Sequence, residues 1–165
     1  MIIRKKELKD CEPWVDVNIR SWNDNLKGVV SDKLLEYMRN KRESMIEKAK
    51  IDFEENDWKY VLEENSKVIG IMKLKEAEKE EFKGYGEIQI LYLYKEEKGK
   101  GYGKALVKKG FEVLKKKGYK KVIIGCLEKN PSNGFYKHIG GKIVKQEQWN
   151  ILNEQYMENI YEYEI

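Results

Sequence analysis

The stretch from residue 86 to residue 127 restricts the fold more than any other. An extended run, "GEIQILYLY" at 86–94, leads into "KEEKGKGYGKAL", which sets glycines at 99, 101 and 103 ahead of a periodic apolar segment. From 103 to 117, Leu106, Val107, Gly110, Phe111 and Leu114 recur at helical spacing, and Gly118 supplies a left-handed helix ending. "KKVIIGCL" at 120–127 is a second strand. Strand, turn, helix and strand in that order require two parallel strands joined by a right-handed crossover.

The flanking segments add to this unit. "IIR" at 2–4 reads as a short strand, and Asp10 as the cap of a helix reaching about Trp22, with Pro13 in its first turn where a missing N–H costs nothing. Ser31 and Asp32 open a second helix carrying Leu34, Leu35, Met38, Met45 and Ile46, after a loop "NDNLKGVV". "WKYVLEE" and "KVIGIMKL", joined by "ENS", form an antiparallel hairpin. A short helix around "PSNGFYKHIG" and a closing hairpin, "GKIVKQEQW" with "YMENIYEYEI", complete the order. The fold class is α/β in the broad sense, α+β by stricter counting: a mixed sheet with helices. At 165 residues, without repeats or linkers, the chain fits a single domain over 1–165.

Composition excludes several function classes. Hydrophobic residues at 41% and charged residues at 38% describe a globular chain with a densely charged surface. No apolar run approaches the roughly 20 residues needed to cross a bilayer, and "MIIRKKELKD" lacks a signal-peptide core, so a cytoplasmic protein without a membrane partner is expected. Cys11 and Cys126 stand far apart with no ligand spacing around them, which predicts two buried reduced thiols and no metal. Residues 95–121 hold eleven lysines against three glutamates, an excess of +8; since the chain's formal net charge is +4, the remainder carries −4. The positive field therefore surrounds the glycines.

A glycine turn feeding a helix N-terminus presents unpaired N–H groups and the positive end of the helix dipole, which suits an anion such as phosphate. The common nucleotide templates do not match. A P-loop requires Ser or Thr after Gly103-Lys104 and glycine at 98, where Ala105 and Lys98 stand. The dinucleotide fingerprint started at Gly99 ends on Lys104, and started at Gly101 it ends on Leu106.

What remains, K-G-K-G-Y-G-K with its flanking strand and helix, resembles the Gcn5-related N-acetyltransferase (GNAT) superfamily. In that family a Q/R-x-x-G-x-G/A turn holds the pyrophosphate of acetyl-CoA on its backbone amides. Lys98, Gly101 and Gly103 occupy the pattern, with lysine in place of the usual Gln or Arg. "EKNPSNGFYKHIGGKIV" resembles the family's second motif, an Asn followed by Phe-Tyr and a glycine-ended helix. The resemblance implies a mixed, mostly antiparallel sheet of about seven strands with a splayed parallel pair and helices on both faces. It also implies acetyl transfer from acetyl-CoA, without a metal, to a primary amine of a small molecule or peptide, by a monomer or a homodimer.

Carried over residue by residue, the resemblance makes the turn, Lys98, Gly99, Lys100, Gly101, Tyr102, Gly103 and Lys104, the pyrophosphate cradle. It places pantetheine along Leu91 and Leu93, whose amides would serve as oxyanion donors, and beside Asn130. Glu87, fourteen positions before Gly101, takes the place of the family's catalytic glutamate. Tyr136 matches the tyrosine near the CoA sulfur; a tyrosine's ordinary pKa of about 10 lies above that of a thiol, so it can protonate a departing thiolate while neutral. His138, two residues on, faces elsewhere and reads as a surface or helix-end residue. Trp22 and the loop to Val30 fall where relatives shape the acceptor pocket, and the acidic segments "EAEKEE" and "IDFEEND" would attract a cationic acceptor. Two other readings of the chain are a catalytically silent acyl-CoA-binding regulatory domain and a basic nucleic-acid-binding module. Against the second, the lysines of "KKGFEVLKKKGYKK" alternate with a core stripe and no aromatic ladder accompanies them.

Overall fold

The computed structural model describes residues 1–54 and 58–165, so the end of "IDFEEND" lies outside the described residues. Seven strands form a mixed sheet in the order β1-β2-β3-β4-β5-β7-β6. The chain divides into two compact units: Met1–Lys73 with Ile90–Leu106, and Leu74–Gln89 with Val107–Ile165.

In the first unit, β1 (Ile2–Lys5) lies antiparallel to β2 (Lys59–Glu64), with Ile3 opposite Leu62. β2 turns into β3 (Lys67–Glu76) through Asn65 and Ser66, both left-handed at φ 49° and 62°, the two-residue turn whose twist suits a hairpin. α1 (Cys11–Asn25) buries Trp14, Val15, Val17 and Ile19 against Val61, Ile71 and Ile46. Asp10 does not cap α1 with its side chain. A 3-10 turn at Leu8–Asp10 runs straight into the helix, so the Asp10 backbone is already helical. Its carboxylate instead receives the Glu7 amide (2.7 Å) and both ends of the Arg4 guanidinium (2.6 and 3.0 Å). Burial pushes the Asp10 carboxyl up, and Arg4 with the Glu7 amide outweighs that and holds it below its ordinary range.

The expected second helix is two. α2 (Asp32–Asn40) starts where Ser31 accepts the Leu34 amide, and α3 (Arg42–Ile51) follows after Lys41. The break lets Leu34 and Leu35 be buried from one helix and Ile46 from the other. It also sends Arg42 to Asp16 (2.7 Å) and Glu12 (2.9 Å) of α1, charge-assisted contacts that fix α3 on α1.

In the second unit, β5 (Lys121–Leu127) runs parallel to β4 (Gly86–Leu93), with Gly86 opposite Val122 and Glu87 opposite Ile123. On its other side β5 pairs antiparallel with β7 (Glu154–Glu164), which forms the closing hairpin with β6 (Lys142–Ile151) around left-handed Leu152 and Asn153. α4 (Tyr102–Lys116) ends at Gly118, φ 95°, as the sequence predicts. Within this unit, Gly86 leaves room for Leu114 of α4, whose Cδ2 would lie 2.8 Å from a Cβ at residue 86. α5 (Asn133–His138) carries Tyr136 onto Tyr161, ring centroids 5.5 Å apart. Cys11 and Cys126 are buried and stand outside any disulfide among the described residues, and among those residues no helix is long and apolar enough to cross a membrane.

Candidate active site

The glycine turn belongs to the first unit. A 3-10 turn at Lys95–Glu97 ends β4, and Gly99 and Gly101 then adopt φ 80° and 82°, the left-handed region in which a Cβ is strained. A Cβ at either position would meet nothing within 4 Å, so glycine is required there by conformation, and the backbone stands open. The first helical bond of α4 runs from the Ala105 amide to the Gly101 carbonyl at 3.0 Å. The amides of Tyr102, Gly103 and Lys104 accordingly have no partner inside the helix and mark its positive end. Lys98, Lys100 and Lys104 are exposed around them. Lys98 donates to Asn25 Oδ1 at 2.6 Å, which ties the turn to the end of α1, and Lys100 pairs with Glu97 at 2.9 Å.

Leu91 and Leu93 are half-buried on the part of β4 that belongs to this unit. Three contacts that the sequence did not single out fix that segment. Ser21 Oγ donates to the Leu93 carbonyl (3.1 Å), Trp22 Nε1 donates to Tyr92 Oη (3.0 Å), and Gly70 of β3 leaves the space into which Leu93 packs. Trp22, expected at the acceptor pocket, is buried and bonded to β4. Its alternation with Ser21 on α1 gave no signal by itself, because the partner lies some seventy residues away.

The second unit holds Glu87, Asn130 and Tyr136. Glu87 is half-buried, with Lys75 Nζ 3.7 Å from its carboxylate. Burial pushes its carboxyl up; Lys75 and Lys79 oppose that and Glu78 adds to it, and the net direction is upward. A carboxylate raised in this way suits a proton acceptor. Tyr136 is buried on α5, and its carbonyl accepts the Tyr163 hydroxyl at 3.0 Å. Asn130 Oδ1 accepts the Ser132 amide (2.9 Å), closing a turn and leaving the side-chain NH2 as the group available to a ligand.

Asn133 is the residue sequence reasoning missed. Its NH2 donates to the carbonyls of Leu127 (2.8 Å), Glu128 (3.1 Å) and Asn130 (2.7 Å), while its Oδ1 accepts from Asn159 (2.9 Å) and Tyr161 (2.7 Å). It thereby locks the β5–α5 corner that presents Tyr136. The sequence shows two asparagines three apart and no signal to rank them. His138 is exposed at the end of α5, as expected.

The profile of the acetyltransferase (GNAT) family matches residues 22–140. No curated protein matches the chain significantly. Among solved structures, the PaiA N-acetyltransferase of Thermoplasma acidophilum in complex with coenzyme A is 24% identical, covering 99% of this chain and 98% of its own, with a TM-score of 0.76. The GCN5-related N-acetyltransferase of Rhodopseudomonas palustris is 12% identical with a TM-score of 0.79, covering 99% and 95%. YncA of Salmonella typhimurium, solved with its cofactor acetyl-CoA, is 18% identical with a TM-score of 0.67, covering 99% and 93%. The mixed seven-stranded sheet with its parallel β4–β5 pair agrees with those folds. On the family match over most of its length, the chain belongs to the GNAT family of acetyltransferases.

Proposed function

We propose that this protein transfers the acetyl group of acetyl-CoA to a primary amine of a small molecule or peptide by direct attack of the amine on the thioester. The observation that carries the donor assignment is the open first turn of α4. Three amides without a partner inside the helix follow two left-handed glycines, with lysines exposed around them, and this fits a pyrophosphate. Two structurally similar proteins were solved with coenzyme A or acetyl-CoA, which supports the same donor here. Acetyl-CoA brings the activated acyl thioester. In this reading the amides of Leu91 and Leu93 donate to the developing oxyanion, Asn130 holds pantetheine through its NH2, Glu87 takes the amine's proton and Tyr136 protonates the leaving sulfur.

Acetyl-CoA at saturation is expected to raise the melting temperature, and an amine panel is expected to release free CoA thiol. A flat melting curve at saturating acetyl-CoA would remove the donor assignment; binding without thiol release from any amine would leave a silent binder. Tyr136→Phe is expected to lower turnover by roughly 10²-fold, within the range of general acid catalysis, while the acetyl-CoA melting shift persists. Unchanged turnover would end its role as acid.

A further inference from the structure

The sheet face of the second unit that carries Glu87 holds another carboxylate, one to which neither of the two sequence motifs extends. Glu158 sits on β7, opposite Leu127 of β5 on one side and Glu147 of β6 on the other. Its side chain leans along β5 and lies over Gly125: a Cβ at residue 125 would come within 2.8 Å of Glu158 Cδ. Gly125 is the one exposed residue of β5, so this carboxylate rests on open backbone. On the neighbouring strand, Glu87 stands opposite Ile123, two residues before Gly125 and on the same face. The register thus brings two half-buried carboxylates onto one face of the sheet, on either side of the Gly125 position, toward which the Glu158 side chain leans.

Their cation partners differ. Glu87 has Lys75 at 3.7 Å. The cross-strand neighbour Glu147 is paired with Lys79 and with Lys145 (3.0 Å). Among the described residues, the Glu158 carboxylate has neither an ion pair nor a side-chain hydrogen bond; the charges that face it are Lys79 and Glu87, together with Glu147 across the strands. Burial pushes the Glu158 carboxyl up, Lys79 opposes that, and the charge on Glu87 adds to it. Glu78 and Lys75 face the pair from the Glu87 side.

We propose that the base of the acetyl transfer is the Glu87–Glu158 pair, in which Glu158 is the carboxylate where the accepted proton comes to rest. This rests on the reading of Glu87 as proton acceptor. Two neighbouring carboxylates titrate together, and each charge strengthens the other's hold on a proton, so the doubly ionised pair is a stronger base than either group alone. In the step, an N–H bond of the acceptor amine breaks as an O–H bond forms on Glu87. The proton then passes by way of intervening solvent to Glu158, whose carboxylate no lysine pairs, and Glu87 returns to its ionised, Lys75-paired form. From Glu158 the proton leaves to solvent over Gly125. Nothing but the proton changes hands.

The test is the pH dependence of kcat/KM in wild type, Glu87→Gln, Glu158→Gln, the double variant and Gly125→Ala. Activity should rise with pH as the pair loses its last proton. Either single Gln variant abolishes the like charge, so its acid limb should move to lower pH, with the plateau reduced roughly tenfold, a part of what a general base contributes. Gly125 does not use a left-handed backbone, so Ala is tolerated there by the strand; its methyl displaces the Glu158 carboxylate, and it should move the limb in the same direction as Glu158→Gln. The double variant should lose the limb. If Glu158→Gln and Gly125→Ala keep the wild-type limb while Glu87→Gln loses it, Glu87 acts alone and the pair is overturned, though the reading of Glu87 survives. A double variant with the wild-type limb would instead remove Glu87 itself. Carboxyl carbon NMR titration of the intact chain gives a readout independent of turnover. A Glu87 titration that Glu158→Gln does not shift would refute the coupling; a shift to lower pH supports it.

Discussion

Gly101 shows how much one backbone angle decides. At φ 82°, with open space where a Cβ would stand, the residue is fixed by conformation, and alanine there costs about 1–2 kcal/mol as a left-handed residue. The chain can escape that cost only by turning the peptide, which would re-aim the amides of Tyr102 and Gly103. Gly101→Ala is therefore expected to lower the melting temperature and raise the KM for acetyl-CoA several-fold with little change in kcat. Gly134→Ala, in the open first turn of α5 at an ordinary helical angle, is the matched control and should be neutral or slightly stabilising. An unchanged KM in Gly101→Ala would mean that the amide cradle does not hold the donor. The glycines were legible in the sequence because their spacing is itself the conformational requirement. Asn133 was not, because its value lies in five hydrogen bonds, two of them to residues of β7 that sequence distance conceals.

Among the elements, those with strong periodicity were read correctly: α4, the hairpins, and the strand-turn-helix-strand order from 86 to 127 all appear, with shifts of up to two residues at their ends. The pattern failed where tertiary contacts overrode it. Leu34 to Ile46 keep a helical period on paper, yet Arg42 is drawn to Asp16 and Glu12 and the run divides at Lys41. Asp10 had the chemistry of a cap and was recruited by Arg4 instead. A similar long-range demand sits in β3. A Cβ at Gly70 would lie 2.5 Å from Leu93 Cδ2 and 3.2 Å from the Tyr92 carbonyl. Leu93 can rotate, but the carbonyl belongs to the strand. Gly70→Ala is thus expected to destabilise the fold by about 1–3 kcal/mol, the usual cost of overpacking, and to lower turnover by displacing the Leu93 segment. Chemical denaturation and kcat together check this: loss of stability with kcat intact would separate Leu93 from the chemistry.

At the scale of the molecule, the modest net charge of +4 conceals a chain whose residues 95–121 carry +8 and whose remainder carries −4. Most of those lysines are exposed, and exposed charges act through solvent, so their effect depends on salt: the screening length is about 10 Å at 0.1 M and about 3 Å at 1 M. If they offset the phosphates of CoA, the KM for acetyl-CoA should climb several-fold between low salt and roughly 0.5 M, while kcat, set by groups at the thioester, stays nearly level. Lys104→Gln, which removes one exposed charge at the open end of α4 without touching a hydrogen bond the fold needs, should flatten that slope at unchanged melting temperature. The acceptor's KM supplies the internal comparison. A cationic amine drawn to the acidic remainder weakens with salt as well, but Lys104→Gln should leave its slope alone. A KM for acetyl-CoA that does not respond to salt would reduce the lysines to a solvated surface and leave the amides of the turn as the whole of the cradle.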